Sequence, residues 1–516
     1  MPADYDLVIL GGTLEGRTAA AAAAGYGARV ALVEPPGLFL QRQKVRYLLR
    51  GLQQLAEGCY RQSVSSWFQH PDSSTGLPTE AFSDRTNTLS QMNWAALVKW
   101  SALAATSQCP ELSVAALSRR GVDVVLAMPE RLSRRQVVTV ANRQLKARAV
   151  LAAFGTVPHA AGVSGPGHLS RPVPTGLEQL LPLARLPQQI AIWGESFEAV
   201  LWAEALGSLG VTVTLISDGF LAREDSDARE WIRTSLSAAG IKLVAVENFS
   251  EADFHALADT TTLFLGRQQP ALSLPDFIRR APHPGSSPPF HHSPETHSPE
   301  THSPETHSPE THSPETERGC LLANARLQTS QARVFACGSL LHGECVHESV
   351  ARAEAQVAVW NALFIPRRRV DYGAITQGYG RFVRVGLPPE FAIAGRTPDL
   401  SQGYSVWTAS CANGADLSRV SPQPSHCKLI CQRKHIQSIH LLGDGAEHLV
   451  PRLESVIGNP VRTLTMGTRR SPIHPLSEHL DNLITIAARK AQPAEWQPGH
   501  WRRDWAENWF NWRRSR

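Results

Sequence analysis

The chain has 516 residues, 42% of them hydrophobic, and a formal net charge of +5. That length exceeds one hydrophobic core and suits about two to four domains. So small a charge for the size gives no reason to expect nucleic-acid binding. The eight cysteines, Cys59, Cys109, Cys320, Cys337, Cys345, Cys411, Cys427 and Cys431, are scattered, with no Cys-x-x-Cys. They read as reduced thiols, and no zinc set is completed. No basic-then-apolar leader is seen at the start, and the apolar runs stop short of the ~20 residues of a membrane-spanning helix. The expectation is a soluble cytoplasmic protein, at most peripheral to a membrane.

Residues 6–10 predict a buried parallel strand, followed by a glycine turn and an alanine-rich helix over about 14–25. A second strand over 28–33 ends at Glu34, completing a βαβ opening. Leucines at helical spacing predict a helix over 42–57, and 70–90 is polar and turn-rich. Helices are expected over 93–105 and 110–119, short strands over 122–127 and 136–141, and an apolar strand over 149–154 running into Gly155. A second βαβ follows: strand 190–193, a turn from Gly194, helix 198–209, strand 211–216, helix 227–239 and strand 242–246.

Residues 292–316 are five copies of His-Ser-Pro-Glu-Thr. Proline at every fifth position rules out helix and sheet, leaving an extended, solvated surface insertion. Pliant repeats lack the fixed geometry of a metal site, and none is expected. Beyond the repeat, a strand over 333–336 leads into Cys337-Gly338-Ser339, and a helix spans 349–363. From 369 the pattern changes to strands such as 427–431 and 436–442, with helices near 446–456 and 476–489.

Two glycine turns carry the chemistry. The first is Gly11-Gly12-Thr13-Leu14-Glu15-Gly16. A dinucleotide site wants glycine for the tight turn, little bulk where the pyrophosphate approaches, and glycine where helix meets strand. Gly11 and Gly16 fill the first and third roles. Thr13 stands in the second, where its side chain crowds the phosphate or turns aside. Glu34 is placed to accept hydrogen bonds from an adenosine ribose. The second turn is Gly194-Glu195-Ser196-Phe197-Glu198-Ala199, with Ser196 and Ala199 in the second and third glycine positions.

In this order of motifs the chain resembles the pyridine nucleotide-disulfide oxidoreductase family, over about residues 5–490. Leu151-Ala152-Ala153-Phe154-Gly155 is similar to its Ala-Thr-Gly strand end. Val334-Phe335-Ala336-Cys337-Gly338-Ser339 is similar to its second FAD motif, with Ser339 where the family has Asp. The resemblance implies an α/β fold with two Rossmann-like dinucleotide-binding domains, for FAD and NAD(P), plus a C-terminal α+β dimerisation-type domain. The expected boundaries are 1–165 with 319–367 for FAD, 166–281 for NAD(P), 282–318 for the insertion, 368–492 for the dimerisation-like domain and 493–516 for a tail. Cofactor contacts are expected from Gly11, Gly12, Thr13, Gly16, Glu34, Gly155, Gly338 and Ser339, and from Gly194, Ser196 and Ala199. Asp218 after the second βαβ suits NADH, while Arg223 keeps NADPH open.

The family's dithiol members carry Cys-x4-Cys after the first acid, whereas 35–58 here contains no cysteine. Electrons cannot pass from flavin to disulfide to substrate by that route. The resemblance therefore implies an FAD-dependent NAD(P)H oxidoreductase reducing a small acceptor such as a quinone directly. His474, with Glu478 four residues on, resembles the family's His–Glu acid-base pair; a packing histidine fits equally. The family dimerises through its C-terminal domain, so a homodimer is expected. In the tail, Trp501, Trp505, Trp509 and Trp512 share a helical face framed by arginines. They suit docking on the protein itself or lying on an anionic membrane. The rival reading is a scaffold that kept the fold and lost the chemistry, since each motif carries a departure.

Overall fold

The structure, a computed structural model, describes residues 3–69, 93–107, 109–133, 135–158, 176–217, 219–222, 224–246, 260–266, 268–271, 321–342, 346–386, 404–411, 425–432, 435–443, 445–458, 475–490, 508–509 and 512. The pentapeptide repeat, the turn-rich stretch 70–90, Asp218, Arg223, His474, Trp501, Trp505 and the tail arginines lie outside them. The chain divides into two compact units: 1–59, 82–222 and 236–370 form the first, and 60–81, 223–235 and 371–516 the second.

The first unit opens with β1 (Tyr5–Leu10), α1 (Leu14–Gly25) and β2 (Val30–Glu34). Next come α2 (Leu38–Gln69), α3 (Trp94–Ser107), α4 (Val114–Arg119), β3 (Asp123–Leu126), β4 (Pro129–Leu132), β5 (Val137–Val140), β6 (Arg143–Ala152) and β7 (Thr156–Pro158). The second βαβ is β8 (Gln189–Trp193), α5 (Phe197–Ser208) and β9 (Thr212–Ser217). It is followed by α6 (Ser226–Ala238), which through Ser235 belongs to the second unit, and then by β10 (Lys242–Ala245), β11 (Thr261–Phe264) and β12 (Gln268–Pro270). The chain then returns through β13 (Val334–Ala336), α7 (Ser339–His342) and α8 (Glu348–Leu363).

In the N-terminal sheet, β3, β2, β1, β6 and β13 run parallel in that order. Both faces are covered, so β1 and β2 are apolar throughout rather than alternating. Leu7, Ile9, Leu32 and Leu151 pack against Ala19, Ala20 and Ala23 of α1 and Ala355 and Ala358 of α8. The alanines are small enough to bring the helices close to the sheet. The opposite face, with Val8, Leu10, Val33 and Val150, meets Val138 and Leu145 of an antiparallel meander, β4-β5-β6. A second parallel sheet has the order β10-β9-β8-β11. Each sheet reverses its strand order beside its first strand, leaving a crevice at the carboxyl ends of the strands there.

The second unit holds a five-stranded antiparallel sheet. β14 (Thr376–Tyr379), β15 (Phe382–Val385), β16 (Tyr404–Cys411), β17 (Ser425–Gln432) and β18 (His435–Leu442) are arranged as β14-β15-β18-β17-β16. α9 (Val450–Val456) and α10 (Pro475–Lys490) complete its core, with Leu480, Leu483, Ile484 and Ala487 against Val383, Leu429, Ile439 and Leu441. Among the described residues no helix is long and apolar enough to cross a membrane.

Candidate functional site

At the end of β1 the chain turns sharply. Gly11 has φ of 117°, a conformation open to glycine and strained for other residues. A Cβ there would run into the backbone of Phe154, and one on Gly16 into the Gly11 carbonyl. Thr13 does not crowd the turn. Its hydroxyl donates to the Ala153 carbonyl at 2.6 Å and accepts from Gly16 N–H at 3.3 Å. The side chain is buried toward β6, acting as the N-cap of α1. Of the two sequence alternatives for Thr13, it turns aside.

Three strand ends meet at this crevice. Gly155 follows β6 with φ of 68°, and Gly338 follows β13 with φ of 77°. The Arg42 guanidinium of α2 lies against Gly155, where an added Cβ would have to displace it, and donates to the Thr156 carbonyl at 2.9 Å. Ser339 is buried at the start of α7. Gly11, Gly12, Thr13, Gly16, Gly155, Gly338 and Ser339 thus lie at the ends of β1, β6 and β13 and the start of the helices that follow β1 and β13.

Glu34 is engaged in a way the sequence did not reveal. Arg17 forks onto both its oxygens, Nε to Oε2 at 3.0 Å and Nη2 to Oε1 at 2.5 Å. Arg17 also donates to the Leu112 carbonyl at 2.8 Å and stacks on Phe39. Glu34 is 1% exposed and packs over Gly12. Each carboxylate oxygen carries a second lone pair beyond its bond to Arg17.

Two further carboxylates line the same crevice. Glu15, in the first turn of α1, lies against Gly338. Burial pushes its carboxyl above the usual range, with Arg42 opposing and Glu354 adding to the rise. Glu354 of α8 is fully buried. It accepts from Gly338 N–H at 2.7 Å and pairs with His342 Nε2 at 2.7 Å. Burial, with Glu15 and Glu354 nearby, raises the Cys337 thiol well above its ordinary value, which keeps it protonated and a poor nucleophile. The visible signal for such a cluster is acidic residues inside otherwise apolar, alanine-rich helices.

In the second βαβ, Gly194 follows β8, Ser196 is the N-cap of α5, and Ala199 is fully buried in the first turn. A Cβ on Gly194 would press on Ala199 Cβ at 2.9 Å. This is the close helix–strand approach that a third-position small residue permits. The Ser196 hydroxyl is buried and makes no hydrogen bond among the described residues. Trp193 and Phe264 stack with ring centroids 5.8 Å apart at the ends of β8 and β11. Glu478 lies on α10 in the second unit. Among the described residues there is no cluster of side chains able to hold a metal ion.

Residues 5–265 match the family model described as pyridine nucleotide-disulphide oxidoreductase. A dihydrolipoyl dehydrogenase of Acholeplasma laidlawii is 25% identical over 274 residues, 49% of this chain and 72% of that protein. Among solved structures, the Cu(II) complex of HOCl-induced flavoprotein disulfide reductase RclA from Escherichia coli is similar, with TM-score 0.60 and 19% identity. The match covers 94% of this chain and 100% of that one. A second structure of HOCl-induced flavoprotein disulfide reductase RclA from Escherichia coli gives TM-score 0.60 at 18% identity, covering 93% of this chain and 100% of that one. At such identities the solved structures speak for the fold alone. The family-model span starts at β1 and ends just past β11, so it takes in both glycine turns, the second parallel sheet and all of the first except β13. The chain therefore belongs to the pyridine nucleotide-disulphide oxidoreductases.

Proposed function

We propose that this protein is an FAD-dependent NAD(P)H oxidoreductase that passes electrons to a small acceptor such as a quinone, without a redox disulfide. The observation that carries this reading is the Thr13 hydroxyl, committed to Ala153 and Gly16. It leaves the turn between β1 and α1 open to a diphosphate, with backbone N–H groups and the helix N-terminus available. Gly11, Gly12, Thr13 and Gly16 would hold the diphosphate. Glu34, Gly155, Gly338 and Ser339 would hold the remainder of FAD, and Gly194, Ser196 and Ala199 the nicotinamide dinucleotide. When bound, FAD supplies the hydride acceptor and the donor to the second substrate.

The chain's own residues would bind and orient. Arg42 brings a fixed positive charge to the crevice beside Gly155, favouring an anionic ligand. His474 with Glu478 is assigned a proton relay, and a homodimer through the second unit's sheet and a cytoplasmic location belong to the same reading. The absence of cysteine from 35–58 supports direct electron transfer to the acceptor.

The test is spectroscopic. Purified full-length protein, alone or after incubation with FAD, should show flavin absorbance that bleaches anaerobically with NADH or NADPH and returns on adding a quinone. A second reading, a non-catalytic scaffold, is favoured by the buried carboxylates Glu15 and Glu354 in the crevice. Colourless protein that FAD cannot reconstitute would establish that reading instead.

A further inference from the structure

Glu15 stands in the turn that would receive the diphosphate, yet it is an acid and only 6% exposed. Its side chain lies across the crevice on Gly338, at the end of a different strand. No ion pair among the described residues involves it. The groups facing it come from four elements. The start of α1 contributes the Thr13 hydroxyl and the Glu15 backbone N–H, α2 contributes Arg42, α8 contributes Glu354, and the end of β13 leads into Cys337. Glu354 is already committed to Gly338 N–H and His342, so Arg42 is the one cation that acts on Glu15 from among these groups.

A diphosphate entering the turn meets the same surroundings. It approaches the N-terminus of α1, the strand ends at Gly155 and Gly338, and Arg42. An ionised Glu15 would compete for Arg42 and repel the phosphates across a poorly solvated gap. A protonated Glu15 is neutral and donates a hydrogen bond.

We infer that Glu15 competes with the diphosphate of FAD, so that loading the cofactor requires the Glu15 carboxyl to be protonated. The inference rests on the flavin reading above. Burial already favours the neutral acid in the free protein, and a bound diphosphate shifts it further the same way. Between those two titrations each FAD that binds takes up one proton. Affinity must therefore fall as pH rises, by up to about tenfold per pH unit.

The experiment titrates flavin-stripped, full-length protein with FAD from about pH 5 to about pH 9, reading flavin fluorescence and absorbance. The same series is run on Glu15→Gln and Glu15→Ala. The expected result is a Kd that climbs with pH in the natural chain and a flat, tighter Kd at high pH in both variants. Riboflavin, which lacks the diphosphate, serves as a probe that should show no such slope. Equal slopes in natural and variant proteins, or no slope in any, overturn the role of Glu15 while leaving flavin binding intact. Failure of FAD to bind to all three proteins at every pH overturns the flavin reading itself, and this inference with it.

Discussion

The ammonium of Lys428 lies 2.7 and 2.6 Å from the two oxygens of Asp225 and 2.7 Å from Asp227 Oδ2. Lys428 and Asp225 are 5% and 2% exposed, so this pair is buried in the second unit. Asp225 Oδ1 also accepts from the backbone N–H groups of Asp227 and Ala228, at the start of α6. Removing Lys428 leaves the buried Asp225 carboxylate uncompensated, at a cost of about 3–5 kcal/mol, whereas removing Asp225 leaves Lys428 with Asp227 and costs less. Lys428→Met and Asp225→Asn should each lower the urea midpoint of this unit, followed by hydrogen exchange in β17 and β18. Exchange rates unchanged by either substitution would show that the pair is solvated in solution.

Acid should loosen the same region. Burial pushes fully buried His440 down to about 3 from an ordinary 6.5, against the pull of Asp225. Burial alone would raise Asp225, but His440 and Lys428 bring its carboxyl below the ordinary 3.8. For both groups the unfolded chain binds more protons than the folded one. Stability therefore rises with pH and is lost on acidification, through the window between the ordinary His440 value and about 3, and for Asp225 below 3.8. Unfolding midpoints measured between about pH 7 and about pH 4 should drop, and His440→Gln should flatten the decline. Parallel declines in the two proteins would remove His440 from the account.

Glycines with positive φ should differ sharply in what they tolerate. Gly11→Ala places a methyl group into the backbone of Phe154, which cannot turn away. Gly27 has φ of 76° but open space around it. The Gly27→Ala change should cost only the conformational penalty, about 1–2 kcal/mol. Gly11→Ala should instead displace the β1–α1 turn and abolish FAD retention. Thermal melts and flavin content of the two variants compare them directly, and similar behaviour would mean that the turn is not packed against Phe154.

Thr13 is a cap as well as a neighbour of the diphosphate. Thr13→Val keeps its shape but loses both hydroxyl contacts, at about 1–2 kcal/mol. Thr13→Ser should retain most of that stability, with FAD affinity little changed in Ser. A Val variant as stable as the natural protein would show that the hydroxyl is unimportant to the turn.

Much of the framework was legible. The helix expected over 14–25 matches α1 because a capping threonine, a run of alanines and following glycines mark its start, body and end. Other boundaries moved where pairing overrides local preference. β4 begins at Pro129, a residue that reads as a breaker, and exists because β5 pairs with it. β6 starts at Arg143, well before the apolar stretch from 149, because its polar first half pairs in the meander. The helix expected over 42–57 extends to Leu38–Gln69.

Within the site, the glycine positions were readable because each turn needs a backbone without Cβ. The engagement of Glu34 by Arg17 and the approach of Glu15 to Gly338 were not. Such pairings depend on which helix face meets which strand end. Only the charge itself is visible in the sequence: an arginine and a glutamate beside the third glycine of an otherwise small, apolar helix.

β6 is shared between two architectures. Arg143 through Lys146 pairs antiparallel with β5, while Ala147 through Ala152 runs parallel to β1. Side chains alternate sides along any strand, so one inserted residue at the junction reverses the inside and outside of one half relative to the other. The hairpin and the nucleotide fold are thereby locked in phase. This short junction should accept substitutions that preserve polarity but reject any change in its length.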